Sequence, residues 1–269
     1  MKPGVYKATK KNGTEYYRGN ITFNGKHISI GSFETESKCN KAYTEAWTIL
    51  KNSDITILNL HSHVKELPFE KCVTLINFRD NHLYIKTPIY LQKNYFLYYL
   101  DKSTVLKFDN DDLFYYSSHK IQNRGGHMFV SDYGMQYNIL NKYGIKPYSV
   151  KGKDYLFANG DDTDFRYSNI IVVNKYHGVY KEEKQGKTIY TAKIHLNGDY
   201  IVGRYNNEAK AAIAYNKAVD LCKSRGMKRA FPTNFISEYS PREYADIYTE
   251  IKISSHLYKF FHNKNFREA

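Results

Sequence analysis

The tetrapeptide Gly4-Val5-Tyr6-Lys7 returns as Gly178-Val179-Tyr180-Lys181, and the pattern after it returns as well. Each copy runs into an alternating stretch, Tyr17-Arg18-Gly19-Asn20-Ile21-Thr22-Phe23 and Thr191-Ala192-Lys193-Ile194-His195-Leu196. An Asn-Gly pair comes next (Asn24-Gly25, Asn197-Gly198), then a Gly-x-aromatic step (Gly31-Ser32-Phe33, Gly203-Arg204-Tyr205). Both copies end in a stretch of helical period carrying Ala-Tyr (Ala42-Tyr43, Ala214-Tyr215). A repeat this long is a statement about architecture: one small module occurs twice, near the two ends, with different material between.

Each module reads as a three-stranded antiparallel sheet with one helix on its apolar face. In the first copy Tyr17, Gly19, Ile21 and Phe23 share one strand face while Arg18, Asn20 and Thr22 share the other, because strand side chains alternate. Asn24-Gly25 suits a type I′ hairpin, which needs positive φ at both central residues. The next strand, Lys26 to Ile30, alternates again with Ile28 and Ile30 inward, and Glu34 to Ser37 supplies the acids of a helix start. Ala42, Tyr43, Ala46, Trp47 and Leu50 then recur at helical spacing as core. The opposite sheet face is polar and basic, and nothing in the module covers it.

Charge says what such a face meets. The chain has 40 Lys and Arg against 27 Asp and Glu, a formal charge of +13, which biases its surface towards polyanions. Abundant Lys, Asn, Ile and Tyr also arise from an AT-rich coding sequence, so basicity alone does not establish nucleic-acid binding. Cys39, Cys72 and Cys222 are scattered and form no C-x-x-C pair, which argues against a disulfide framework or a zinc ribbon. The start, Met-Lys-Pro, enters module sequence at once and fits no signal peptide. No apolar run approaches the roughly 18 residues needed to cross a bilayer. A cytoplasmic protein with no membrane partner is expected.

The module order (Gly-Val, strand, hairpin, Ile30-Gly31-Ser32-Phe33, Thr35-Glu36, Ala42-Tyr43) resembles the Apetala/ethylene-response-factor type of DNA-binding domain. The resemblance covers about residues 3–60 and 177–238. It implies a sheet lying in the major groove of double-stranded DNA and reading bases from strand side chains. The implied DNA-facing residues are Tyr6, Arg18, Asn20, Thr22, His27 and Ser29 in the first module, and Tyr180, Thr191, Lys193, His195 and Ile201 in the second. Most strand arginines and both strand tryptophans of the plant pattern are missing, so the plant target sequence does not transfer. An exposed Thr/Asn/His/Lys face needs no function by itself; the repeat and the resemblance together favour DNA.

Between the modules, residues 61–82 read as a linker without clear period, and His61 and His63 as surface histidines. From Leu83 short aromatic strands succeed one another: Tyr84-Ile85, Ile89 to Leu91, Phe96 to Leu100 and Val105 to Phe108. The run Asp109 to Asp112 lacks the Gly and Glu of a calcium loop and reads as a turn with a helix N-cap. The stretch Asn159 to Asn169 is similar to the core of homing-type HNH endonucleases, with Asn159-Gly160, Asp164, Arg166 and Asn169 on the family spacing. Where that family has its Asp-His pair this chain has Leu156-Phe157, which can neither bind a metal nor accept a proton. After Asn169 the chain reaches Gly178 with almost no room for the helix carrying the last metal ligand. The resemblance thus implies a degenerate nuclease core, Leu156, Phe157, Asn159, Gly160, Asp164, Arg166 and Asn169, whose surviving residues brace a loop.

The expected architecture is α+β: a DNA-binding module (1–60), a linker (61–82), an HNH-like domain (83–176), a second module (177–238) and a C-terminal helical tail (239–269) made basic by Lys259, Lys264 and Arg267. The expected function is sequence-selective binding of double-stranded DNA by a non-enzymatic protein of a bacterium, phage or mobile element, with no metal, cofactor or catalytic residue. Two alternatives stay open. One is a phage-encoded inhibitor engaging a host nucleoprotein or defence complex; the other is a metal-dependent endonuclease with an unrecognised ligand set such as Asp154, Asp164 and His177.

Overall fold

A computed structural model of the chain describes residues 2–262. The fold is α+β, built from small antiparallel sheets and six α-helices among the described residues. Two compact units divide it: Met1–Ile139 with Phe157–Asn169, and Leu140–Leu156 with Ile170–Ala269. The stretch 83–176 therefore contributes to both.

The first unit opens with β1 (Val5–Thr9), β2 (Glu15–Phe23) and β3 (Lys26–Phe33) in the order β1-β2-β3. Asn24 and Gly25 have φ of 45° and 73°, the pair of left-handed residues that a type I′ turn requires. Helix α1 (Glu36–Lys51) starts at Thr35, whose hydroxyl accepts from the Lys38 amide at 3.2 Å. It lays Ala42, Ala46, Ile49 and Leu50 on the inward Ile21, Ile28 and Ile30.

The expected linker is in fact structured. Helix α2 (Phe69–Asn81) packs Cys72, Leu75, Ile76 and Phe78 into the same core as α1. Seven consecutive residues, Cys72 to Phe78, are buried, among them the polar Thr74 and Asn77, which share a helix face with Glu70 and Asn81. Arg79 near its end donates one terminal nitrogen to the carbonyls of Ile49, Asn52 and Ile55 at 2.6–2.9 Å, closing the C-terminus of α1. Glu45 on α1 accepts in return from the amides of Lys65, Glu66 and Leu67.

The aromatic strands form β4 (Ile89–Leu91), β5 (Tyr95–Tyr99) and β6 (Val105–Asp109), without the expected strand at Tyr84-Ile85. The short α3 (Leu113–Ser118) comes after the acidic run as expected, but no side chain caps it. Asp109 is engaged elsewhere, its carboxylate accepting from the Tyr167 amide at 2.7 Å. A stack of Phe96, Phe108 and Phe165, with centroids 5.5 Å apart at each step, makes this sheet's core. Strands β7 (Ile121–Arg124), β8 (His127–Asp132) and β9 (Met135–Asn138) complete the unit.

The short β10 (Tyr155–Phe157) pairs with β11 (Ile170–Val172), and the second unit continues with the second module as β12 (Val179–Lys184), β13 (Lys187–His195), β14 (Asp199–Tyr205) and α4 (Glu208–Ser224). The repeat extends to backbone detail. The pairing of the middle strand with the third shifts register at the same place in each sheet, beside Gly19/Asn20 and Ala192/Lys193, where the third strand carries an extra residue. There the Asn20 and Lys193 amides donate to the carbonyls of Gly4 and Gly178 at 2.8 and 2.7 Å. Both glycines have positive φ and lie under the ring of the Ala-Tyr tyrosine, so a Cβ on Gly178 would meet the Tyr215 ring at 2.3 Å. This contact is why Gly-Val and Ala-Tyr repeat together. The hairpins differ: Asn197 and Gly198 are not left-handed, while Gln185 and Gly186, with φ of 50° and 74°, turn β12 into β13.

Asn234 ties the second module to its tail. Its backbone exchanges hydrogen bonds with Asn216 at 2.8 Å and its side chain bridges the amide and carbonyl of His177. Helix α5 (Pro241–Glu250) begins as its sequence indicates, with Ser240 and Glu243 forming a capping box and Pro at the first turn. A separate α6 (Ser255–His262) buries Leu257 in the module core; Lys264 and Arg267 lie outside the described residues. Among the described residues no helix is long and apolar enough to cross a membrane.

Candidate nucleic-acid interface

Register fixes the outward face of the first sheet. Arg18 stands between Tyr6 and Ser32, Asn20 opposite Ser29, and Thr22 opposite His27. With Ile21, Ile28 and Ile30 buried on the other side, alternation turns these seven outward, and all are exposed except the half-buried Asn20. Every residue of the expected first set, Tyr6, Arg18, Asn20, Thr22, His27 and Ser29, is on this face. The Arg18 guanidinium rests 5.3 Å from the Tyr16 ring centroid. Thr22 Oγ1 and His27 Nδ1 lie 3.2 Å apart. None of the seven is a carboxylate. Ser32 was not in the expected set, because strict alternation from Ser29 turns it inward; the extra residue of the bulge near Gly31 turns it back out.

The second sheet presents a different surface on the same backbone. Tyr180 pairs with Thr191, Thr191 with Arg204, Lys193 with Ile201, and His195 with Asp199. Thr191 is on the outward side yet 0% exposed, which removes it from any contact set. It is flanked by the long side chains of Tyr180 and Arg204, and a short side chain among long ones disappears. Its hydroxyl has no hydrogen bond of ordinary geometry, although it lies near enough to Glu182 to help stabilise that carboxylate. Lys193 Nζ is 3.8 Å from Glu182 and 5.0 Å from the Tyr180 ring centroid, and Lys153 Nζ lies 4.4 Å over the same ring. His195 Nδ1 is 2.8 Å from Asp199. Glu182, held below the usual carboxylate range first by its hydrogen bond from Lys184, keeps its charge on this face. Of the expected second set, Tyr180 and Ile201 are half-buried, Lys193 is ion-paired with Glu182, His195 is hydrogen-bonded to Asp199, and Thr191 is enclosed.

The HNH-like stretch is a closed hydrogen-bond network. Asp164 is fully buried and receives Arg166 through two nitrogens at 2.9 and 2.7 Å, with Asn159 Nδ2 at 3.2 Å and Lys107 Nζ at 3.8 Å. Burial pushes its carboxyl up, and the Arg166 hydrogen bonds and charge outweigh that to hold it below the usual range. Asn169 donates to the carbonyls of Asp164 and Asp161 and accepts from the Asn159 amide. Gly160, at φ 78°, makes the turn. Leu156 is exposed, and Phe157 packs edge-on against Phe165 at 5.6 Å.

The chain matches no family model, no curated protein and no solved structure. Both resemblances therefore rest on the chain's own residues.

The alternative metal set is no better assembled. Asp164 is saturated by Arg166. Asp154 accepts from the Val150 amide at 2.8 Å and from Asn174 at 3.0 Å. His177 is wedged edge-on between the rings of Tyr148 and Tyr215 at 4.5 and 5.2 Å, and burial pushes its pKa down. Among the described residues no group of three His, Cys, Asp or Glu side chains is placed to hold a metal ion. The three cysteines are free and buried, and burial pushes the Cys72 thiol up to about 12.

The chemistry open to the first face is set by its donors. Arg18 offers a fork that suits the two acceptors of a guanine edge, Asn20 an amide that suits adenine, and His27, Thr22 and Ser29 single hydrogen bonds to bases or phosphate. The outward row from Arg18 to Thr22 spans about 13 Å, close to the major-groove width of about 12 Å.

Proposed function

We propose that the chain is a sequence-selective double-stranded DNA-binding protein of a bacterium, phage or mobile element, and that its reader is the outward face of the first sheet. The observation that carries this is the first face itself: Tyr6, Arg18, Asn20, Thr22, His27, Ser29 and Ser32 lie on one side of one small sheet, all exposed but the half-buried Asn20, and none is a carboxylate. The second sheet, on the same backbone, instead carries Glu182, Lys193, Asp199 and Arg204 on its outward side. The net charge of +13 supports the same reading by drawing a polyanion to the surface. The closed bonding of Asp164 and the side chains of Leu156 and Phe157 support a scaffold role for the HNH-like stretch, in place of catalysis.

The test is selection by the purified full chain from a pool of random duplexes, with the enriched duplex then bound over a range of salt. The reading predicts an enriched motif and an affinity that falls by orders of magnitude between about 50 and 200 mM salt. No enrichment together with a flat salt response would overturn it and favour engagement of a host protein complex.

A further inference from the structure

We infer that the two sheets, alike in backbone, differ in use: duplex DNA is engaged by the first alone, and Glu182 and Asp199 are the residues that exclude it from the second. This rests on the duplex-binding reading and deepens it by naming which copy is the reader and what silences the other.

The shared registers and bulge make the comparison residue by residue. Val5 pairs with Gly19 as Val179 pairs with Ala192, so Ala8 in the first sheet corresponds to Glu182 in the second. Thr22 pairs with His27 as His195 pairs with Asp199, so His27 corresponds to Asp199. At two outward positions, then, a neutral or cationizable residue is replaced by a carboxylate. The donor fork of Arg18 is replaced by Thr191, which is enclosed.

Those carboxylates lie beside Lys184, Lys193 and His195, while Arg204, at the position of Ser32, stands exposed on the same face. Glu182 reaches Lys184 at 2.9 Å and Lys193 at 3.8 Å, and Asp199 reaches His195 at 2.8 Å. A DNA backbone approaching this sheet must displace them, and each displaced carboxylate then faces phosphate charge in a closing, water-poor gap. On the first face no such exchange is required. Surface ion pairs are individually weak, so their effect lies in this repulsion and not in their own strength.

The experiment measures binding of the full chain to the duplex enriched by selection, or to a random-sequence duplex of equal length, for three double variants. Arg18→Ala with Asn20→Ala is expected to lose affinity at least about tenfold. Lys193→Ala with His195→Ala is expected to stay within about twofold of the parent. Glu182→Ala with Asp199→His, which installs the first sheet's own residues, is expected to tighten binding about tenfold and to steepen the salt slope, because phosphate contacts are added. All six positions are at the surface, and melting temperatures within a few degrees of the parent confirm that each variant is folded. Equal loss from the Arg18/Asn20 and Lys193/His195 pairs would overturn the inference while leaving the duplex-binding reading intact, as would an unchanged affinity for Glu182→Ala with Asp199→His. A parent chain that binds no duplex at all would overturn both.

Discussion

Replacing Gly178 by alanine tests whether the repeated Gly-Val and Ala-Tyr elements specify the module through one contact. Gly178 has φ of 72°, a conformation that costs an L-residue about 1–2 kcal/mol. An added Cβ would stand 2.3 Å from Cδ2 and Cε2 of Tyr215 and 2.7 Å from the Lys193 carbonyl oxygen. The Tyr215 ring is 1% exposed and held edge-on by His177, so it has no free space to move into; forcing such an overlap costs about 1–3 kcal/mol more. The expected loss is about 2–5 kcal/mol, read as a lower urea midpoint by far-UV circular dichroism. Gly186→Ala is the matched control, since Gly186 has φ of 74° but nothing within 4 Å of the added Cβ. It is expected to cost only the conformational part, about 1–2 kcal/mol. Adding Tyr215→Leu to Gly178→Ala should recover part of the steric loss, giving a non-additive cycle. If Gly178→Ala costs no more than Gly186→Ala, the contact with Tyr215 is not what the repeat preserves.

Arg79→Ala removes a half-buried cation shared by three carbonyls and paired with Asp80, and is expected to destabilise the first unit by about 2–4 kcal/mol, seen through Trp47, the only tryptophan. Asp164 has a carboxyl pKa below its unfolded value, so its contribution to stability is complete above about pH 4 and is lost as pH falls through the folded value. Asp164→Asn should therefore lower stability at pH 7 and flatten the acid limb of the stability curve; an unchanged acid limb would show that Asp164 is not the titrating brace. Supercoiled plasmid incubated with the chain and Mg²⁺ or Mn²⁺ should remain intact, and nicking that disappears in Asp164→Ala would refute the scaffold reading.

The sequence shows the module because its signals are local. Asn24-Gly25 selects the turn, Ile21, Ile28 and Ile30 select the inward face, and Thr35 selects the start of α1. Helix α2 is harder to read because its polar residues mark no solvent side, Thr74 and Asn77 being buried with the apolar ones, and no side chain caps its start at Pro68. Among the site residues, alternation assigns the correct face to both sheets but not exposure, which depends on neighbours across strands. Arg18 stays open beside Ser32, whereas Thr191 is lost beside Tyr180 and Arg204. Ser32 could be placed only once the bulge was known, because one extra residue reverses the face of every later position on the strand, whereas Glu182 and Asp199 follow by alternation from Tyr180 and Ile201.

The central claim, that the outward face of the first sheet reads DNA sequence, is tested most directly by competition binding. The parent chain and Arg18→Ala with Asn20→Ala are compared on the enriched duplex labelled at one end, with unlabelled enriched or random duplex as competitor. Both side chains stand on the solvent side of β2, away from the buried Ile21, so the melting temperature should be nearly unchanged. With each good bidentate base contact worth about 1–3 kcal/mol of discrimination, the variant should lose at least about tenfold of its preference while its affinity for random duplex falls less. Full preference retained by a folded Arg18→Ala, Asn20→Ala chain would contradict the account.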